Sequence, residues 1–174
     1  MYHAPYLTSE VMAFAQEHEK AMQHTEELNQ LLVRLDSITA PQEQSQKLTG
    51  LLEVEQKINK ELEPHFYNEE EALFPVLGRH IGFESGIIPD IIAEHEQLRS
   101  LFQQLQHSIS SLKNSWTNDH VEQVNGAAKN FVSFIREHIK KEDHTLFPLM
   151  ENKLSLEEKR EVYFQLYANV KAKQ

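Results

Sequence analysis

The chain has 174 residues, 40% hydrophobic and 25% charged, with only 5 Gly and 6 Pro, the composition of a soluble globular protein of single-domain size in which long helices are permitted almost everywhere. A formal net charge of −10 without any Lys/Arg run leaves no footprint for nucleic acid or an anionic membrane surface. The lack of cysteine excludes disulfides, iron–sulfur ligation, thiolate zinc sites and thiol nucleophiles, so any metal must be held by nitrogen and oxygen.

Apolar residues recur at three- and four-residue steps along most of the chain, which predicts helices. The first opens with Thr8 or Ser9 as N-cap and carries Leu7, Val11, Phe14, His18, Thr25, Leu28, Leu32 and Leu35 on one stripe until Pro41 interrupts. The second is expected from about Ser45 to about His80, with Ile58, Leu62, His65, Glu69 and Leu73 facing inward and kinks at Pro64 and Pro75. Gly78, Gly82 and Gly86 mark a connection. The third helix begins near Pro89, with the stripe Ile88, Ile91, His95, Leu98, Phe102, Leu105, Ile109 and Leu112. The fourth follows an Asn118 or Asp119 cap with Val121, Val124, Ala128, Phe131, Ile135, His138, Glu142 and Leu146. Ser155-Leu-Glu-Glu158 has the capping-box form, so a shorter fifth helix is expected over about 156–170. Its Val162, Leu166 and Val170 would either cap the rest or meet a second subunit. The fold class read from this pattern is all-α, an antiparallel up-and-down four-helix bundle over about 8–152 with an additional C-terminal helix, in one domain. Neither a charged segment leading into an apolar run nor a stretch of about eighteen apolar residues occurs, so the expected setting is the cytoplasm.

The chain also repeats itself. Glu17-His18-Glu19 in the first helix is answered by Glu94-His95-Glu96 in the third, an offset of 77 residues. His65-x-x-x-Glu69 with Leu73-Phe74-Pro75 is answered by His138-x-x-x-Glu142 with Leu146-Phe147-Pro148, an offset of 73. Two equivalent helical hairpins related by a pseudo-twofold axis would bring these sets face to face.

His18, His65, Glu69, His95, His138 and Glu142 stand on stripes where packing prefers leucine. A buried carboxylate costs several kcal/mol unless compensated, and a buried imidazole needs a partner for each ring nitrogen. Divalent cations supply that compensation, since imidazole with carboxylate suits iron, manganese or zinc. The i to i+4 spacing sets each His and Glu on one helix face, a turn apart. With Glu69 and Glu142 bridging two ions and two histidines on each, every ion has four protein ligands. An oxo or hydroxo bridge would make five and leave one octahedral position open for dioxygen, nitric oxide or peroxide. One His-x-x-x-Glu alone is expected by chance and reads most simply as a surface pair, and a third instance, His80 with Glu84, is accidental because it spans the Gly-rich connection. The second occurrence, each with Leu-Phe-Pro four residues later and a stripe histidine on each remaining helix, favours metal.

Asp143 is the reserve candidate for the second bridge. His3, His24, His107, His120 and His144 fall off the stripes and read as solvated, as do Glu70, Glu71, Lys140 and Lys141. There is no Glu-x-x-His, His-Glu-x-x-His or Gly-rich phosphate loop, which disfavours ferritin-like di-iron sites, zinc proteases and nucleotide binding.

At these residues the sequence resembles the hemerythrin-like family of HHE cation-binding domains, over roughly residues 8–152. The resemblance implies a four-helix bundle around a non-haem di-iron centre, with His18, His65, His95 and His138 as ligands and Glu69 and Glu142 as bridges. Two departures stand out. Oxygen-carrying hemerythrins have a further histidine where this chain has Arg99, and an aspartate five residues after the last histidine, a position that Asp143 matches. The four-histidine pattern is closer to bacterial members implicated in nitric oxide and oxidative stress or iron-centre repair, although the cysteine-containing N-terminal segment common in the repair proteins is absent. The functions carried forward are a di-iron protein that binds, senses or reduces a small oxidant, an iron-handling or iron-sensing module, and an empty bundle whose polar core only sets helix register. Residues alone leave the oligomeric state open.

Overall fold

A computed structural model describes residues 7–172, with side chains through Gln165; His3 and the side chains of Leu166 and Val170 lie outside the described residues. Helix α1 is Ser9–Leu32, followed by a 3-10 turn at Leu35–Ser37. Then come α2 (Pro41–Asn68), a π-helical turn at Glu69–Leu73, α3 (Phe74–Ile81) and α4 (Ile87–Asn114). The remaining elements are α5 (Asn118–Lys141), a second π-helical turn at Glu142–Leu146, α6 (Phe147–Lys153) and α7 (Leu156–Ala172). The fold is an all-α bundle with an additional C-terminal helix, and no strand occurs among the described residues.

The buried positions of α1 are Val11, Phe14, His18, Thr25 and Leu28, and those of α4 include Ile88, Ile91, His95, Leu98, Phe102, Leu105, Ile109 and Leu112. These are the expected stripes, each burying one face of a helix that burial rather than propensity holds in place. Several boundaries differ from expectation. Pro41 starts α2 instead of separating it from α1, because the first helical turn needs no proline N–H. Pro64 lies inside α2 without ending it. Thr117, rather than Asn118 or Asp119, caps α5, its hydroxyl accepting from the His120 N–H at 3.2 Å. At α7 the expected capping box is present, with Ser155 N–H donating to Glu158 at 2.8 Å and Glu158 N–H donating to the Ser155 hydroxyl at 3.2 Å.

The described residues fall into two compact units. One contains 20–62 and 95–137. Here Lys57 meets Glu27 at 2.8 Å and Lys47 donates to the Leu31 carbonyl at 3.1 Å, an order that makes α1 and α2 antiparallel. Phe102 and Phe131 pack in its core with ring centroids 5.3 Å apart.

The other unit contains 7–19, 63–94 and 138–172. Its core joins Val11 and Phe14 of α1 to Leu73, Phe74 and Leu77, to Ile88 and Ile91, and to Leu146, Phe147 and Met150. Val162 of α7 is buried in the same cluster, so this helix covers the unit, the first of the two roles expected for it. A polar clamp reinforces the contact: Glu151 accepts from the backbone N–H and hydroxyl of Thr8 at 2.9 and 3.0 Å and from the buried Lys159 ammonium at 2.6 Å. Gly82 and Gly86 adopt φ of 87° and 96° in the connection from α3 to α4, values L side chains rarely adopt.

Candidate metal centre

The two π-helical turns occupy matching positions, each opening on the glutamate of a His-x-x-x-Glu pair. In each, the N–H of the phenylalanine bonds the glutamate carbonyl five residues back: Phe74 to Glu69 and Phe147 to Glu142. Proline in a continuous α-helix lacks the N–H and clashes with the carbonyl four residues earlier. An extra residue in the turn before Pro75 and Pro148 opens that space, so the expected proline kink becomes a π-helical turn. This accounts for the repeated Leu-Phe-Pro, whose leucines and phenylalanines are all buried.

In the unit that contains them, His18, His65, Glu69 and Glu142 bring ligand atoms within 4.8 Å of one another, a group able to hold a metal ion. Glu69 and Glu142 are 0% exposed. His18 Nε2 lies 2.8 Å from Glu142 Oε2 and 3.2 Å from His65 Nε2. His65 Nε2 lies 3.7 Å from Glu142 Oε2 and 3.8 Å from Glu69 Oε1. The other oxygen of Glu142, Oε1, is 3.1 Å from His138 Nε2. One carboxylate thus turns its two oxygens toward different histidines, the disposition a bridging ligand requires. Two imidazoles and two carboxylates, all buried, match borderline divalent cations as a donor set.

Outward-facing nitrogens are also engaged. His18 Nδ1–H donates to Asp143 Oδ1 at 2.8 Å, His65 Nδ1–H to Glu17 Oε2 at 2.9 Å, and His138 Nδ1–H to Glu94 Oε2 at 3.0 Å. Asp143 therefore stands behind His18, and of the two candidates it is Glu142 that joins the group of side chains able to hold a metal ion. Lys141 is half-buried and pairs with Glu94 instead of belonging to a solvated face. Sequence reasoning overlooked Glu17 and Glu94 as participants, although a signal was present in the glutamate that precedes each lone stripe histidine.

Burial works against charge on His18, but hydrogen bonds to Asp143 and Glu142 outweigh it and raise the imidazole pKa. For His65, burial is likewise outweighed, by the charge of Glu69 and hydrogen bonds to Glu142 and Glu17, and the pKa rises well above the ordinary value. Aromatic rings wall the cluster: Phe147 stacks on His18 with centroids 5.0 Å apart and 23° between planes, and Phe66 meets His138 edge-on at 5.8 Å.

His95 is 0% exposed and follows Glu94 directly in α4, as the first residue of the other unit. The remaining histidines serve elsewhere. His80 Nε2 pairs with Glu158 at 2.8 Å rather than with Glu84, His107 and His144 are exposed, and His24 and His120 are half-buried rather than fully solvated. Arg99 meets Glu96 at 2.9 Å.

The sequence model of the hemerythrin HHE cation binding domain matches residues 13–150. The chain belongs to that family. The match takes in both π-helical turns and every residue of the cluster, and assigns this HHE domain to cation binding. No curated protein matches the chain. Among the described residues, no helix of the HHE domain is long and apolar enough to cross a membrane.

Proposed function

We propose that this HHE domain is a non-haem di-iron protein that binds, senses or reduces a small oxidant, O2, NO or peroxide, in the cytoplasm. The side chains that would hold the ions are the imidazoles of His18, His65, His95 and His138 and the carboxylates of Glu69 and Glu142. The observation that carries this reading is the pair of oxygens on Glu142, one toward His18 and His65 and the other toward His138. His95 is assigned from the sequence repeat and its complete burial. Iron, when bound, would supply a redox change and a Lewis-acidic centre for a small ligand. The chain's own residues hold the imidazoles by their outer nitrogens, place two carboxylates without solvent access, and exclude bulk water with Phe14, Phe66 and Phe147.

Elemental analysis of protein from iron-replete cells, with optical spectra of anaerobically reduced and air-exposed samples, tests the metal; two irons per chain are expected. Stopped-flow mixing of the reduced protein with O2, NO and peroxide tests the chemistry. A new charge-transfer band with at least one of them is expected, and no response to all three overturns the oxidant reading. Zinc in place of iron overturns the redox part alone, and manganese overturns the choice of iron. A second reading, iron handling or sensing, is favoured by the two fully buried carboxylates, which tie folding to occupancy; it predicts iron uptake without oxidant chemistry.

A further inference from the structure

Two of the three carboxylates on the outer nitrogens, those of Glu17 and Glu94, follow a rule that nothing in the ligand set demands. Glu17 on α1 reaches His65 on α2, and Glu94 on α4 reaches His138 on α5. Each is the residue immediately before a lone stripe histidine, and each serves the paired histidine of the neighbouring helix in the same hairpin. From these contacts we infer that Glu17 and Glu94 are positioning residues for metal, one per hairpin, which hold His65 and His138 with Nε2 directed inward and make that nitrogen a stronger donor. The inference rests on the metal-binding reading above and adds residues outside its ligand set.

An imidazole whose Nδ1–H donates to a carboxylate is fixed in one ring orientation and has its Nε2 lone pair available for coordination. Without the carboxylate, either nitrogen can carry the proton and the ring can turn over. Both glutamates suit the task. Their oxygens lie 2.9 and 3.0 Å from the ring nitrogens, and the side chains are 31% and 19% exposed, far less than a free surface glutamate. The hairpins are not equal. Glu94 is shared with Lys141, whereas the position equivalent to Lys141 in the first hairpin is Asn68. An ammonium on Glu94 draws charge from its carboxylate, so His138 is the weaker donor of the two, and two bound ions would be inequivalent.

The test uses the full chain with Glu17→Gln, Glu94→Gln, Glu17→Ala, Glu94→Ala and Lys141→Met, titrated with Co(II) followed by its visible ligand-field bands and with Fe(II) under anaerobic chelator competition. The Gln variants keep shape and lose charge, so their metal-free melting midpoints stay at the wild-type value while metal affinity falls and the ligand-field bands move. The Ala variants should lose about 10–100-fold in affinity. Lys141→Met should move the bands opposite to Glu94→Gln. Gln variants that match wild type in affinity and bands would reduce both glutamates to packing and overturn the inference, leaving the ligand set intact. A wild-type chain that takes up neither ion overturns the metal reading and this inference together.

Discussion

Glu142 reaches three histidines: Oε2 is 2.8 Å from His18 Nε2 and 3.7 Å from His65 Nε2, and Oε1 is 3.1 Å from His138 Nε2. Its neighbour Asp143 cannot replace it, since that carboxylate is spent on the far side of His18. Replacing Glu142 with alanine therefore removes a proposed ligand without a substitute at hand. Metal affinity should fall by more than the roughly 10–100-fold typical of an outer carboxylate, and elemental analysis should give less than half the wild-type metal content. Asp143→Ala should keep the metal content and lose only affinity, because it loosens His18 without removing a ligand. Equal losses in the two variants would return Asp143 to the candidacy that its sequence position first gave it. At this scale, burial conflict made the buried polar residues legible: a histidine or glutamate on an apolar stripe announces a partner. Glu17, Glu94 and Lys141 carried no such conflict, because a residue at the edge of a stripe can be solvated or engaged, and only coordinates distinguish the two.

At the scale of elements, the helices were readable and their irregularities were not. Stripes at three- and four-residue steps survive any small change in winding, so α1, α4 and α5 lie where periodicity put them. The π-helical turns were missed because the notional α-helix already placed His65 with Glu69 and His138 with Glu142 correctly; the extra residue acts only downstream. That permits a direct test. Thr145 is exposed within the second turn, and deleting it should restore ordinary α winding, rotating α6 by about 100° relative to α5. Helicity by circular dichroism should hold while metal binding collapses, since Leu146 and Phe147 can no longer face the core with Glu142 facing the ions. Unchanged metal affinity would make the turn incidental. The C-terminal helix offers a second test. The His80 hydrogen bond, then those of Ser155, hold the Glu158 carboxyl down to about 2 from the ordinary 4.5. A lowered carboxylate stabilises the folded state above the ordinary value and loses that effect as pH falls toward the lowered one. The melting midpoint should therefore decline more steeply between pH 4.5 and 2 in wild type than in Glu158→Gln. Parallel curves would show that the α7 cap contributes nothing in solution.

For the molecule as a whole, the question is how tightly folding and ion occupancy are linked. His18, His65, Glu69 and Glu142 are buried, and the neighbouring carboxylates outweigh burial to raise the imidazole pKa values of His18 and His65. A site that exists only in the folded chain converts ligand affinity into stability, by about 2.7 kcal/mol when free metal is at a hundredfold excess over Kd. For a protein of this size each kcal/mol moves the melting midpoint by roughly 2–4 °C. Anaerobic Fe(II) should accordingly raise the midpoint by roughly 5–10 °C at that excess, climbing with the logarithm of metal concentration instead of reaching a plateau at stoichiometry. Glu142→Ala should abolish the climb, and it should start from a lower metal-free midpoint because the Glu142 contacts to His18 and His138 are gone. A wild-type midpoint indifferent to iron would mean that mutual hydrogen bonding among histidines and carboxylates satisfies this core without a cation, which is the register-setting alternative that the polar stripes also allowed.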